Sequence, residues 1–439
     1  MTKRRTWAAE WPALAFLAVV LLFVGVSGLW GFVARKSPPV HPAPADVPSA
    51  GSSPAPQWAP AAERARELVR AGLAERNVPG ASVAVGVGDR IVWAEGFGWA
   101  DIESRQPVTP DTRFRIGTTS IVLTSAAAGV LLEEGRLSLD EEIQRYVPDF
   151  PRKPWPITLR QLMGHVAGLR TDGGDESVLF RQRCERPVNA LPHFASRRLL
   201  FEPGTDFSLS KYGWILVSAA VEASAQQPFM TVMRSRVFEP LGMKDTTAET
   251  AAEENPDHVG EPEEDAPIFT FVRDVMRELG IGPMKAPYTA SRVLNLATHY
   301  FPRYGADPRY GLHLMRPHNL SCYAGAMAFI STAPDLARFA LGVNSGTLLR
   351  PATVRELQSS QRLASGKETG YGLGWDLETV ELGGQPALAA GHHGDMLGGM
   401  TTSLLSFPER GLVVAVTSNV SYADTASLAR KVADAFATP

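Results

Sequence analysis

The chain has 439 residues, 44% of them hydrophobic, enough to bury the core of one large domain or two ordinary ones. Its 43 basic and 46 acidic residues leave a formal charge of −3, and no run of Lys or Arg breaks that balance, which excludes nucleic acid as a partner. The two cysteines, Cys184 and Cys322, show neither zinc spacing nor a Cys-x-x-Cys pair; one disulfide and two separate buried thiols are both compatible with them. Neither a metal nor an organic cofactor is expected.

Residues 1–10 are a short segment whose basic residues are Lys3, Arg4 and Arg5, and from Trp11 to Ala34 no side chain is charged. Those 24 residues, at about 1.5 Å each in a helix, cross the roughly 30 Å hydrocarbon core of a bilayer. Leu29, Trp30, Phe32 and Val33 occupy the place where a cleaved signal peptide carries small residues. An uncleaved single-pass anchor at 11–34 is therefore expected, with the rest of the chain extracytoplasmic, at the cell surface or in the periplasm. Arg35 and Lys36 nearly balance the basic start, so the orientation signal is weak.

Residues 35–60 are rich in Pro, Ala and Ser, with eight prolines between Ser37 and Pro60, and read as an extended tether. The folded part is expected over 61–439. Ala61 to Arg76 is patterned as a charged amphipathic helix. Ser82 to Val87 and Arg90 to Trp99 are β-rich runs on either side of Gly88-Asp89, a hairpin signal. Helical patterns dominate from Ser120 to Leu241. Glu249 to Asp265 is acidic and reads as a solvated loop. Gly370 to Asp376, Gln385 to Gly391, Thr401 to Phe407 and Gly411 to Asn419 read as strands, and Ala423 to Ala437 as a closing helix. The order implies an α+β fold in which an antiparallel sheet is built from both chain ends, flanked by helices, around a mainly helical middle region.

Eight short blocks then occur in an order that resembles one family. They are Val78-Pro79-Gly80-Ala81, Phe114-Arg115-Ile116-Gly117, Glu133 to Asp140, Ile157-Thr158-Leu159 with His165 and Gly168-Leu169, Phe201 to Thr205, Phe238 to Met243, Ser331 to Leu336, and Phe407 to Leu412. The chain resembles the serine β-lactamase and penicillin-binding-protein superfamily, in the branch of class C β-lactamases, D-alanyl-D-alanine carboxypeptidases, esterases and LACTB-like proteins. A β-lactamase/transpeptidase-like fold is what that resemblance implies.

The family carries Ser-x-x-Lys just after the Phe-Arg-Ile-Gly-like block, serine and lysine sharing one helix face so that the amine takes the hydroxyl proton. The matching positions here are Thr118 and Ile121. Isoleucine has no lone pair, and no lysine lies between Arg115 and Arg136 in any register, so neither Ser120 nor Ser125 recovers the pair. The family's Tyr-x-Asn becomes Leu209-Ser210-Lys211, again an aliphatic side chain for a proton carrier, and a cation for an amide. The third motif, His/Lys-x-Gly, survives as His392-His393-Gly394, and the resemblance implies oxyanion donors in the amides of Thr118 and Asp395.

The resemblance thus places Thr118, Ile121, Leu209 and Lys211 at the family's catalytic positions, and Ser120, Ser210, His392, His393, Gly394 and Asp395 along the cleft. Two functions follow from different classes. One is a pseudoenzyme that binds a small molecule, a peptidoglycan-like peptide or a protein partner. The other is a hydrolase of esters, amides or β-lactams, with Thr118 as nucleophile and Lys211 as a relocated base.

Overall fold

In the computed structural model, residues 19–23, 25–28, 37–51, 53–170, 179–180, 182–248, 295–304, 307–315, 319–396 and 399–437 are described. The expected acidic loop lies outside them, as does most of the expected span; residues 19–23 and 25–28 of that span are helical and exposed. No helix among the described residues is long and apolar enough to cross a membrane.

Strands β1 (Ser49–Gly51), β2 (Gly80–Val87), β3 (Arg90–Asp101) and β4 (Gln106–Pro107) come from the first quarter of the chain. Short strands β5 (Phe114–Arg115), β6 (Thr247–Ala248) and β9 (Phe329–Ser331) form a small sheet in the order β5-β9-β6, and β7 (Tyr300–Tyr304) pairs with β8 (Asp307–Leu314) as a hairpin. The C-terminal part supplies β10 (Asp376–Leu382), β11 (Gln385–Met396), β12 (Met400–Phe407) and β13 (Leu412–Ser418). The main sheet runs β1-β3-β2-β13-β12-β11-β10, every neighbour antiparallel, with β4 paired to β3. The β2–β13 pairing joins the two chain ends at the centre of the sheet, as the pattern of elements implied.

Helices α1 (Ala59–Glu75) and α8 (Thr425–Ala437) cover one face of the sheet. On the other lie α2 (Ser120–Glu133), α3 (Leu159–Met163), α4 (Lys211–Ala225), α5 (Phe229–Met233), α6 (Ala333–Asn344) and α7 (Pro351–Leu357). Strand β13 shows why every one of its residues is buried. Val414 and Val416 enter the core beneath α1 and α8, while Val413 and Ala415 enter the larger core on the helical side, as side-chain alternation requires when both faces are covered. Helix α2 is apolar on all sides, with every residue from Ser120 to Gly129 buried, so it is a core helix and not an amphipathic surface one.

Two expectations are corrected. The run Gly370 to Asp376 is not a strand: Gly370 and Gly374 take φ of +74° and +94°, conformations suited to turns, and the strand begins only at Asp376. The stretch 35–60 is not a free tether either, for from Ser37 onward it packs on the fold. Val47 is 2% exposed and His41 1%, the His41 Nε2 lies 2.9 Å from the Pro79 carbonyl oxygen, and β1 adds an edge strand to β3. Trp58 packs its ring, tilted by 31°, against Phe436 of α8. The composition disfavours a core of its own, but a proline-rich arm needs none when the edge of β3 and the end of α8 supply the apolar partner.

The sulfurs of Cys184 and Cys322 are bonded, closing a loop across 138 positions of sequence. Replacing both cysteines by Ser should lower stability by about 2–4 kcal/mol, since the unfolded chain regains the freedom of a long loop. Urea denaturation of the oxidised parent and of the double variant checks this.

Candidate functional site

The site is assembled where β11 meets the first turn of α2. Strand β5 pairs with β9, and Ile116 donates its N–H to the Phe329 carbonyl at 3.0 Å, which fixes the start of the 3₁₀ turn Gly117–Thr119. Gly394 of β11 faces that turn so closely that a Cβ would lie 2.4 Å from the Ile116 carbonyl oxygen and 2.9 Å from the Thr119 Oγ1. The approach brings the His393 carbonyl within 3.1 Å of Thr118 Oγ1, and the Thr118 hydroxyl donates to it.

The other expected residues divide into groups. Ile121 is 2% exposed and belongs to the helical-side core. Ser120 is fully buried and its hydroxyl accepts the Phe329 N–H at 3.3 Å, so it braces α2 against β9. Ser210 caps α4, its hydroxyl accepting the Gly213 N–H at 3.1 Å. Leu209 is 56% exposed, and Lys211, half-buried, is the first residue of α4, a helix that packs against α2. Asp395 continues β11 opposite Thr401; its side chain lies outside the described residues.

The paired histidines separate. His392 and Gly394 share the face of β11 that meets α2, and His393 turns to the opposite face by strand alternation. There its Nδ1 lies 2.9 Å from the Ser403 hydroxyl and its Nε2 lies 3.6 Å from Glu378, which also holds Arg430 of α8 at 2.8 Å. The expectation that the His393 side chain lines the cleft is therefore corrected: its contribution to the site is a carbonyl oxygen.

His392 is buried in a network that the sequence reading missed. Its Nδ1–H donates to that same His393 carbonyl at 2.9 Å, leaving Nε2 to accept the Tyr371 hydroxyl at 3.1 Å. Burial pushes the His392 pKa down, opposed in part by Asp376, whose carboxylate lies 3.9 Å from Nδ1. Burial holds the Tyr371 hydroxyl well above its ordinary range, with the Asp376 charge adding to it, so it stays a donor. Tyr371 also packs on His165, ring centroids 4.9 Å apart. The Nδ1 of His165 accepts the Ser210 N–H at 2.9 Å, and the Trp214 indole N–H points at its Nε2 at 3.3 Å, so both ring nitrogens face donors. Burial, with the charge of His392 adding to it, lowers the His165 pKa to about 3. Nothing in the motif spacing marks Tyr371, because it reaches the site from a turn 21 residues away from His392.

Among the described residues no group of three or more His, Cys, Asp or Glu could hold a metal. The arrangement offers a hydroxyl tied to a backbone carbonyl, the aliphatic Ile121 one helical turn on, and a neutral imidazole held by a tyrosine.

This geometry is that of a penicillin-binding-protein-like fold, and a family model described as Beta-lactamase matches residues 65–437. The chain belongs to the beta-lactamase family and is a β-lactamase-related member of the serine hydrolases. It is 28% identical over 260 residues to the human protein "Serine beta-lactamase-like protein LACTB, mitochondrial", a match covering 44% of this chain and 47% of that protein. It is 23% identical over 184 residues to "Protein flp" of Staphylococcus aureus (strain MW2), covering 41% and 37%. The chain therefore spans less than half the length of these curated relatives. Among solved structures, the octameric penicillin-binding protein homologue from Pyrococcus abyssi superposes with a TM-score of 0.63 at 21% identity, over 84% of this chain and 76% of that one. The D-amino acid amidase from Ochrobactrum anthropi SV3 complexed with D-phenylalanine gives 0.64 at 20% identity, over 86% and 99%. These two likenesses are of fold alone.

The buried histidines make the fold sensitive to acid, beside carboxylates such as Glu95 and Glu378 whose pKa values are lowered. His165, His392, His41 and His299 all have pKa values lowered by burial. The unfolded chain takes up protons near pH 6.5 while the folded chain does not, so stability falls as pH drops below about 6.5, for His165 down to about 3, with a slope of up to about 1.4 kcal/mol per pH unit for each such histidine. His165→Asn, chosen because Asn tolerates the left-handed φ of +59° at this position, should be less stable at pH 7 yet lose stability less steeply on acidification. Urea midpoints measured from pH 7 to pH 4 check both.

Proposed function

We propose that this protein is a membrane-anchored, non-hydrolytic member of its family, whose cleft binds a ligand, of which a peptidoglycan-like peptide suits the extracytoplasmic location, without turning it over. The observation that carries this reading is the pairing around Thr118. Its hydroxyl donates to the His393 carbonyl, an acceptor that cannot carry the proton away, and the residue one helical turn on is Ile121, sealed in the core. Nucleophilic attack by a neutral hydroxyl needs a base within hydrogen-bond reach, and the family's base position holds none. An ammonium placed at 121 among the aliphatic neighbours of α2 would pay a large desolvation cost, so the substitution suits a pocket no longer asked to hold that charge. Gly394 and the backbone of β11 keep the cleft's frame, and backbone donors do not depend on side-chain identity.

The parent protein should form no lasting adduct with a labelled penicillin, read by intact-mass spectrometry. Restoring Thr118→Ser, Ile121→Lys, Leu209→Tyr and Lys211→Asn together should raise acylation or ester hydrolysis far more than any single change, because these groups act as a unit. Losing one member of such a constellation leaves only about 10³–10⁴-fold acceleration over water. If the parent hydrolyses an activated ester and Lys211→Ala abolishes that activity, the reading fails and Lys211 is the relocated base.

Anchoring rests on residues 11–34. Full-length protein should fractionate with membranes and resist high-salt extraction, while a chain starting at Ser37, which keeps the docked arm, should be released into the soluble fraction. A mature N-terminus found downstream of Ala34 overturns it.

A further inference from the structure

The N-terminal arm does not leave the fold at an arbitrary place. Ser37 lies directly on the backbone of β8: a Cβ on Gly311, whose φ is +89°, would come within 2.5 Å of the Ser37 Oγ. The uncharged run ends at Ala34, three residues upstream, and an extended chain covers at most about 3.6 Å per residue. Three residues therefore separate that run from Ser37, a length of at most about 11 Å. The two residues next to Ser37 are Lys36 and Arg35, charges that suit lipid phosphates.

The base of that hairpin is apolar where it faces water. Leu314 is 55% exposed and Tyr422 41%. Leu314 is the cross-strand partner of Tyr300, and Tyr300 in turn bridges to Val420, so the two exposed side chains flank one short stretch of strand. The ring of Phe301, half-buried, meets Tyr422 edge-on at a centroid distance of 5.6 Å. Tyr422 also takes φ of +63°, a conformation unfavourable for a bulky residue. That conformation is held where the Tyr422 ring rests against Phe301 at the surface.

We infer that Phe301, Leu314 and Tyr422 form a second membrane contact, resting at the headgroup level of the bilayer that holds 11–34; this inference depends on the anchor reading above. The occupant is a lipid surface and not a protein groove, because the chain's own span departs beside the patch and aromatic rings with a polar tip favour that interface. Together with the docked arm, the contact fixes which side of the domain faces the membrane, so the cleft has a set orientation and does not swing on a tether.

The chain has two cysteines, joined to each other, so one introduced cysteine is the sole free thiol. Full-length Leu314→Cys and Tyr422→Cys, each carrying an environment-sensitive fluorophore, are reconstituted in phosphatidylethanolamine–phosphatidylglycerol vesicles containing a doxyl-labelled lipid quencher. Leu388→Cys is the control: Leu388 is 48% exposed and lies eight residues back along β11 from Met396, the end of the strand nearest the hairpin. Labels at 314 and 422 should lose roughly half their emission or more, as for a shallow interfacial position, and the control should lose little. Protein that sediments with vesicles but shows equal, weak quenching at all three positions overturns the contact and leaves the anchor standing. Protein that does not sediment with vesicles overturns the anchor, and the contact with it.

Discussion

Strand β11 can run against the Gly117–Thr119 turn only because position 394 carries no side chain. With a Cβ 2.4 Å from the Ile116 carbonyl oxygen, any other residue would force the strand or the turn away, and the carbonyl of His393 would leave the Thr118 hydroxyl. That contact joins the sheet to the helical half of the molecule. It also aligns the first turn of α2 with the face of β11 that carries His392 and Gly394. The order β5-β9-β6 serves the same end from the other side, because Phe329 receives the Ile116 N–H and gives its own N–H to Ser120.

Several polar groups around the turn satisfy one another, although the buried Thr119 hydroxyl has no hydrogen-bond partner among the described residues. The His393 carbonyl accepts from both Thr118 and His392, His392 accepts from Tyr371, and Tyr371 packs on His165, which accepts from Ser210 at the cap of α4. Each of these bonds is modest alone, but in a buried site removing one member leaves the next without a partner, which costs more than the bond itself contributes. The histidines are held neutral by the same burial that makes the network rigid. A site of this kind holds its shape well and moves protons poorly, which supports ligand binding over turnover as the proposed role.

The arm from Ser37 to Trp58 links the site-bearing domain to the expected anchor. It lays β1 on the edge of β3, buries His41 and Val47, and places Trp58 on α8. Pairing also covers part of a sheet edge that would otherwise present free N–H and C=O groups. The domain therefore starts within three residues of the uncharged run, so its proposed placement on a membrane rests on surface contacts more than on tether length.

The sequence alone determined the fold class, the hairpin of β2 and β3, the terminal strands and helix, and the identity of the residues at Thr118, Ile121, Leu209 and Lys211. Alternation, turn pairs and ordered motif blocks are local in the chain, and so are readable there. Only the tertiary structure decided that Cys184 meets Cys322, that His393 turns its ring away while His392 stays, that Ser120 and Ser210 serve as brace and cap, and that Tyr371 closes the network. It also decided that the proline-rich stretch docks and that the strand expected at 370–376 is a turn. Each of these depends on which surfaces lie opposite across tens or hundreds of residues: composition shows that an arm cannot fold by itself, and only the exposed edge of β3 shows what it can fold against.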